Sequence, residues 1–427
     1  MRVWTVHIGE TPPTESGGRP FRYTLLARAL RARGHELVQW YPTFAHLTKT
    51  WRAGEDQLLE VEPGWQVRLV HAGGYRRHVG LARLLFYRRL ARRIRELAPA
   101  HAAPDLILAG LPAPEVCEAV VDIAAASGAR AVIDVQDLWP DIYLTLLPER
   151  LRPLARPLLA PLQRRNRRVF AGADAVSGVS QGYMEWGRGF APGREGRIDR
   201  AFPLAVDPYR PEPAALAAAE AKLLGRGVDP SLFTACFLGL FTRTIDMETV
   251  LDALRLLEER GGPPVQLLLC GDGPMGEAFR ARAQGLRHVH FLGWSDATTM
   301  AAVTGMASVG LAAYGRLAIQ SIPNKPLEYL GSDLALLSSL PGEMARIVEE
   351  TGCGFSYRPG DAAALAGLLA RLRDEPALLA AVRARAAAAF EERFAARAVY
   401  QAMASWLEEV AGLPQPRPAP AAMAPAG

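Results

Sequence analysis

The chain has 427 residues, too many for one ordinary domain; half of them are apolar and 22% charged, enough to fill two cores and excluding a disordered chain. No apolar run approaches the roughly 18 residues that cross a bilayer, and Val3 to Ile8 alternate without a cleavable leader before them, so a cytoplasmic protein is expected. The net charge of +5 is uneven: residues 1–205 hold 29 basic and 20 acidic side chains, the remainder 20 and 24.

Period-two and helical apolar patterns predict a strand over 2–8, a helix over 19–33 ending at Gly34, strands over 36–41 and 65–71, and a helix over 78–98. A strand over 104–110, a helix over 113–127 and a strand over 130–136 complete this first series. The series restarts near residue 232, with strands over 233–240, 265–270, 289–293, 308–313 and 334–338 and helices over 247–260, 275–284 and 296–306 between the first four. Such alternation predicts an α/β chain with two doubly wound, Rossmann-like domains, each a parallel sheet covered by helices. Four prolines between Phe202 and Pro213 mark the linker. Three Ala- and Arg-rich helical stretches follow Asp361, and residues 413–427, almost all Pro and Ala, read as a disordered tail.

Cys117, Cys236, Cys270 and Cys353 lie far apart without C-x-x-C spacing, so they read as core thiols rather than a zinc site or a disulfide framework.

The first half is Arg-rich in two places. Tyr75 to Arg95 carries eight arginines and no acid, interleaved with leucines at helical spacing, and Arg150, Arg152, Arg156, Arg164, Arg165, Arg167 and Arg168 flank a second apolar stretch. Either run alone is equally a solvated helix face or a contact for an anionic membrane; two in one domain favour the membrane. Nucleic acid is not expected, because no recognition helix, zinc finger or aromatic RNP pattern accompanies the charge.

Open α/β sheets bind ligands beyond the carboxyl ends of their strands. There the first strand leads to Gly17-Gly18 just before a helix, a pair that lets backbone approach a diphosphate or simply makes a tight turn. Asp137, in Asp134-Val-Gln-Asp-Leu-Trp-Pro140, follows another strand and either points a carboxylate toward an acceptor or caps the next turn. The sharper signal is Gln320-Ser-Ile-Pro-Asn-Lys-Pro-Leu-Glu-Tyr-Leu330: Pro323 suits a helix start, Asn324 and Lys325 can meet phosphate oxygens, and Glu328 can accept from two vicinal ribose hydroxyls.

With these segments, and with Ala173-Asp174 leading to Val179-Ser180, Gly271-Asp-Gly-Pro274 and Phe291-Leu-Gly293, nearly the whole chain resembles the family 4 (group 1) retaining glycosyltransferases of the GT-B fold. The resemblance is to their bacterial cell-surface polysaccharide branch. It implies an acceptor-side domain over 1–205 and a nucleotide-sugar domain over 206–395, facing across a cleft. A helix over 396–412 is expected to pack back on the first domain.

By that resemblance Glu328 binds the donor ribose, Arg243 helps neutralise the diphosphate, Gly271 lies in the donor site, and Trp294 and Ser295 neighbour the base. The implied reaction moves a sugar, hexosyl or N-acetylhexosaminyl, from a UDP-type donor to a lipid-linked or saccharide acceptor with retention. Polysaccharide or lipopolysaccharide synthesis at the inner membrane face is the implied setting.

Three positions depart from the pattern: Gln320 stands where the first of two glutamates eight apart is usual, no second cation occurs near Ile245, and Gln136 replaces a His. Lys325 is then the replacement cation. Catalytic candidates are Arg243, Lys325, Gln320 and Asp137, and no cofactor or essential metal is expected. A GT-B nucleotide-sugar epimerase or hydrolase, and a silent partner protein with the same fold, are the alternatives.

Overall fold

In the computed structural model, which describes residues 1–412 apart from 16–19, 77–79, 146, 194–197 and 319, the first apolar runs form one eight-stranded sheet. Its strands are β1 (Arg2–Val6), β2 (Glu36–Pro42), β3 (Gln57–Glu62), β4 (Trp65–Val70), β5 (Leu106–Leu111), β6 (Arg130–Val135), β7 (Ala175–Gly178) and β8 (Arg200–Ala201). They lie in the order β3-β4-β2-β1-β5-β6-β7-β8. All neighbours pair parallel except β3 with β4. Every residue of β5 and β6 is buried, as a parallel strand covered on both faces requires. The chain leaves β1 toward β2 and returns on its other side to β5, so the carboxyl ends of β1 and β5 bound the topological switch point.

Two differences from the sequence reading have local causes. The strand β3 was not expected: its exposure alternates along an edge, and Glu60 and Glu62 flank a register shift, so it lacks an apolar run. β1 stops at Val6: the His7 amide makes the last bond to β2, at the Trp40 carbonyl (3.2 Å), and its Nδ1 then accepts from the amides of Gly9 (3.2 Å) and Glu10 (3.1 Å), which turns the chain.

The second sheet holds β9 (Phe233–Leu238), β10 (Val265–Cys270), β11 (Val289–Gly293), β12 (Val309–Ala312), β13 (Ala335–Ser338) and β14 (Gly354–Ser356) in the order β11-β10-β9-β12-β13-β14, all parallel. Alternate residues of β9 supply opposite faces: Cys236 and Leu238 join Leu327 and Leu330, while Ala235 and Phe237 join the helix Met247–Arg260. That helix is capped by Asp246, whose carboxylate accepts from the Thr249 amide.

By contacts the chain divides into Met1–Phe202 with the segment from Tyr400 onward, and Pro203–Val399. The last helix, Ala396–Ala411, therefore crosses the division. Its Trp406 packs on Phe202 and donates to the carbonyl of Ile198, and its Glu408 accepts from Arg33 and His35. The segment 413–427 lies outside the described residues. All four cysteines are buried and free. Among the described residues no helix is long and apolar enough to cross a membrane.

Candidate functional site

In the C-terminal unit the switch point lies between β9 and β12, and most of the donor candidates gather around it. Gly239 ends β9 at φ +153°, and a Cβ there would stand 3.5 Å from Cε of Lys325. Gly271 ends β10 at φ +143°, and a Cβ there would fall 1.8 Å from the carbonyl oxygen of Gly239. Only glycine lets these two backbones meet, and their apposition leaves the Lys325 stem against the strand end.

Lys325 and Glu328 lie on the helix Asn324–Leu330, with Lys325 Nζ donating to Glu328 Oε2 at 3.2 Å. Tyr329 anchors that helix, its hydroxyl accepting from the Leu238 amide at 2.8 Å. The buried face of the helix, Leu327, Tyr329 and Leu330, is thus tied to β9 while Lys325 and Glu328 keep partial exposure. The helix is only seven residues long, with Asn324 at its first position, so its dipole is weak and the positive charge at its start is that of Lys325.

Burial raises the Tyr314 phenol, and the nearby Glu328 carboxylate adds to the rise. Burial likewise pushes the Cys270 thiol up to about 11, with Ser295 and Lys325 opposing. These couplings place Tyr314, Cys270, Ser295, Lys325 and Glu328 in one neighbourhood. Trp294, 78% exposed, follows β11 and lines an open depression with Ser295, Arg226 and Thr299. Gln320 is exposed just before the helix. Gly17 and Gly18 lie outside the described residues.

Arg243 does not line that depression. It is exposed beside Arg316 in another one, which Ile245, Asp246, Met275 and Gly315 also line. The bridge Ile245↔Tyr314 and the bond from the Gly315 amide to the Thr244 carbonyl (2.8 Å) bring these two arginines together. Arg316, 73 positions after Arg243, is thus a second arginine lining the same depression, a pairing that no local pattern signals.

The N-terminal switch point is polar and buried. Asp134 at the end of β6 takes Arg22 bidentately (2.8 and 2.9 Å), Ser177 Oγ (2.6 Å) and Gln136 Nε2 (2.8 Å). Burial works against its charge, but Arg22 and the hydrogen bonds prevail and hold its pKa below the usual range. Gln136, where a His was usual, is thus a donor to Asp134. Asp137, three residues on, is half-buried; burial raises its pKa, and the Leu138 amide and Arg83 oppose the rise.

Around Asp134, burial moves two neighbours in opposite senses: His7 falls from 6.5 to about 4 and Glu10 rises from 4.5 to about 8. Glu10 stays partly bound to the start of the helix Arg22–Ala32, accepting from the Tyr23 amide at 3.0 Å. The folded chain therefore holds the Glu10 proton that the unfolded chain loses above pH 4.5, and stability contributed by Glu10 falls as pH rises to 8. His7 has the opposite sign, its contribution rising with pH between 4 and 6.5. The two offset each other up to pH 6.5, and above it Glu10 alone acts: urea unfolding is expected to show a loss on the order of 2 kcal/mol between pH 6.5 and 8. Glu10→Gln should flatten that decline; an unchanged slope in the variant would assign it elsewhere.

Residues 17–200 match the family model described as a glycosyl transferase 4-like domain, and residues 233–375 that of glycosyl transferases group 1. No curated protein matches the chain in sequence. Among solved structures, sucrose-phosphate synthase from Thermosynechococcus elongatus is 17% identical with a TM-score of 0.69, covering 96% of this chain and 98% of that one. Anabaena HepE in complex with UDP-glucose is 16% identical, with a TM-score of 0.61 over 96% of this chain and 100% of that one. A UDP-forming α,α-trehalose-phosphate synthase from Burkholderia vietnamiensis is 13% identical, with a TM-score of 0.64 over 97% and 100%. At such identities the likeness carries the fold. With one family domain matched in each unit, the chain belongs to the group 1, family 4 glycosyltransferases of the GT-B fold.

Proposed function

We propose that the chain transfers a hexosyl or N-acetylhexosaminyl unit from a UDP-sugar to a lipid-linked or saccharide acceptor, with retention, in cell-surface polysaccharide synthesis. The observation that carries the donor half is the Lys325–Glu328 pair set beside Gly239 and Gly271 at the β9/β12 switch point. The similar solved structures named above, one with UDP-glucose and one UDP-forming, support the choice of nucleotide.

In this reading Glu328 accepts from the ribose hydroxyls, Asn324 and Lys325 meet the diphosphate, Gly271 admits it closely, and Trp294 and Ser295 flank the base. Departure of the diphosphate concentrates negative charge, which Lys325 neutralises as a point charge, with Arg243 and Arg316 adding positive field. This charge comes from side chains, and no essential metal is invoked. Gln320 carries no charge and cannot attack the back of the sugar, so substitution proceeds on the front face and the departing phosphate takes the acceptor proton. Asp137 orients the acceptor hydroxyl.

The test is an incubation of the full chain with UDP-sugars, a prenyl-diphosphate-linked sugar and a chelator. Transfer with the donor's anomeric configuration supports the proposal. Donor hydrolysis alone favours the hydrolase alternative, and nucleotide binding without turnover the silent partner. Glu328→Ala should weaken UDP binding by ~1–3 kcal/mol, since two hydroxyls lose an acceptor; calorimetry giving an unchanged affinity would remove Glu328 from the site.

The peripheral membrane half of the proposal rests on the second Arg-rich segment more than the first. On the helix Leu81–Leu97, Arg93 pairs with Asp56 and Glu96, and Arg95 with Asp122, so part of that charge is already neutralised. The short helical segments Arg152–Ala155 and Arg156–Leu159 bury no residue, and Leu154 and Leu158 are 75% and 80% exposed beside Arg156. Exposed leucines flanked by arginines match the interface of an anionic bilayer at its cytoplasmic face. Binding to anionic vesicles is expected to fall with added salt and to be lost in a variant with Arg156, Arg164 and Arg167 reversed to Glu. Salt-independent binding, or binding that survives the reversal, contradicts this surface.

A further inference from the structure

Near Asp137 the N-terminal unit assembles a cationic and aromatic cluster that donor recognition does not use. Lys49 follows β2 and Arg83 lies in the first turn of the helix Leu81–Leu97. Packed rings link the two cations: Tyr75, against Lys49, lies 5.2 Å from Phe86, which lies 5.8 Å from Tyr87, against Arg83, and Arg83 reinforces burial in lowering the pKa of Lys49. Each lies against aromatic rings: Lys49 Nζ is 4.6 Å from the Tyr75 centroid, and the Arg83 guanidinium is 5.0 Å from Trp139 and 5.3 Å from Tyr87. Arg83 Nε also donates to the Tyr87 hydroxyl at 2.5 Å, which fixes the guanidinium's place.

Asp137 belongs to the same neighbourhood, since Arg83 acts on both Asp137 and Tyr143, and Tyr143 stacks edge-on to Trp139 at 4.6 Å. Two features set the cluster apart from ordinary packing. Lys49 sits at φ +60°, a left-handed conformation that costs a non-glycine residue on the order of 1–2 kcal/mol and collects at functional positions. Lys49, Arg83 and Asp137 are also all only partly buried, with Lys49 Nζ donating to the His46 carbonyl at 2.5 Å. Like charges held together in a partly dry site raise each other's energy, and an anion placed between them relieves it. Rings beside such a site offer apolar faces to the C–H side of a sugar.

Resting on the transfer reading above, we infer that this cluster is the acceptor subsite and takes a glycosyl phosphate or diphosphate, the anionic group between Lys49 and Arg83 and the sugar against Tyr143 beside Asp137. The anionic group belongs either to a prenyl-linked sugar or to a soluble sugar phosphate. The cluster draws on one arginine of the helix Leu81–Leu97 and a lysine 34 positions earlier.

The experiment titrates the full chain with glucose 1-phosphate, a short-chain prenyl-diphosphate glucose in micelles, and methyl glucoside. Both charged probes are expected to bind at least tenfold more tightly than methyl glucoside. Lys49→Asn, in which Asn tolerates the left-handed backbone, and Arg83→Gln should each weaken the charged probes tenfold or more while leaving UDP affinity, methyl glucoside affinity and the melting temperature unchanged. Lys325→Ala, on the donor side, should leave charged-probe affinity within twofold. Preference for the prenyl probe assigns the lipid-linked source, and equal binding the soluble one. Failure of both charged probes to bind, binding indifferent to Lys49 and Arg83, or binding lost with Lys325 overturns the inference. A wild-type chain that binds the charged probes at this cluster yet binds no UDP would count against the donor reading alone.

Discussion

Arg22→Met is expected to destabilise the chain by about 3–5 kcal/mol, the largest effect of any single substitution considered for this protein. Arg22 and Asp134 have side-chain exposures of 1% and 0%, so removing the guanidinium strands a carboxylate with no water to replace it. Ser177, Gln136 and Tyr23 still donate to Asp134, but neutral donors offset only part of the loss of a bidentate cation. Arg22 also donates to the Phe202 carbonyl at 3.0 Å, tying the first helix to the end of the unit's main segment. Urea unfolding of the full chain, followed by its first transition, measures the effect. The double variant Arg22→Met/Asp134→Leu should recover much of the stability, because no buried charge remains unpaired. A single variant within about 1 kcal/mol of wild type would show that water reaches the pair and screens it.

The second large effect concerns turnover. Lys325→Ala should lower kcat by tenfold or more, because in the proposed donor site its charge faces the leaving diphosphate and matters most as the sugar–phosphate bond breaks. Arg243→Ala should act in the same direction, by up to tenfold, since Arg243 and Arg316 share a depression that the Lys325–Glu328 pair does not line. A change confined to KM for the donor, in either variant, would mean that the cation binds ground and transition states equally and is not stabilising the departing group. Rescue of Lys325→Ala by a small primary amine would support a point-charge role.

Much of the chain was legible because strands buried on both faces and helices with one apolar stripe leave periodic traces. The spans 247–260, 265–270 and 289–293 fall on the observed elements without adjustment. β3 was not legible, since an edge strand with Glu60 and Glu62 has no continuous apolar run. The segment Asp134–Pro140 was read for Asp137, whereas the buried anchor is Asp134, and its partner Arg22 looks like any helical arginine in the sequence. Burial of an arginine depends on what stands opposite it, and that residue lies 112 positions away.

By itself, then, the sequence determined the two α/β units and the pairing within Asn324–Glu328, because each depends on local spacing: apolar periodicity marks the strands and helices, and three residues along a helix set Lys325 against Glu328. Only the tertiary structure decided which charges meet. Arg316 and Arg243 share a depression through a bridge between two loops, Lys49 comes near Arg83 where Phe44 packs on Phe86, and burial at the start of the helix Arg22–Ala32 raises the pKa of Glu10. Coulomb energy and desolvation depend on distance and depth in space, and neither quantity is written in residue order.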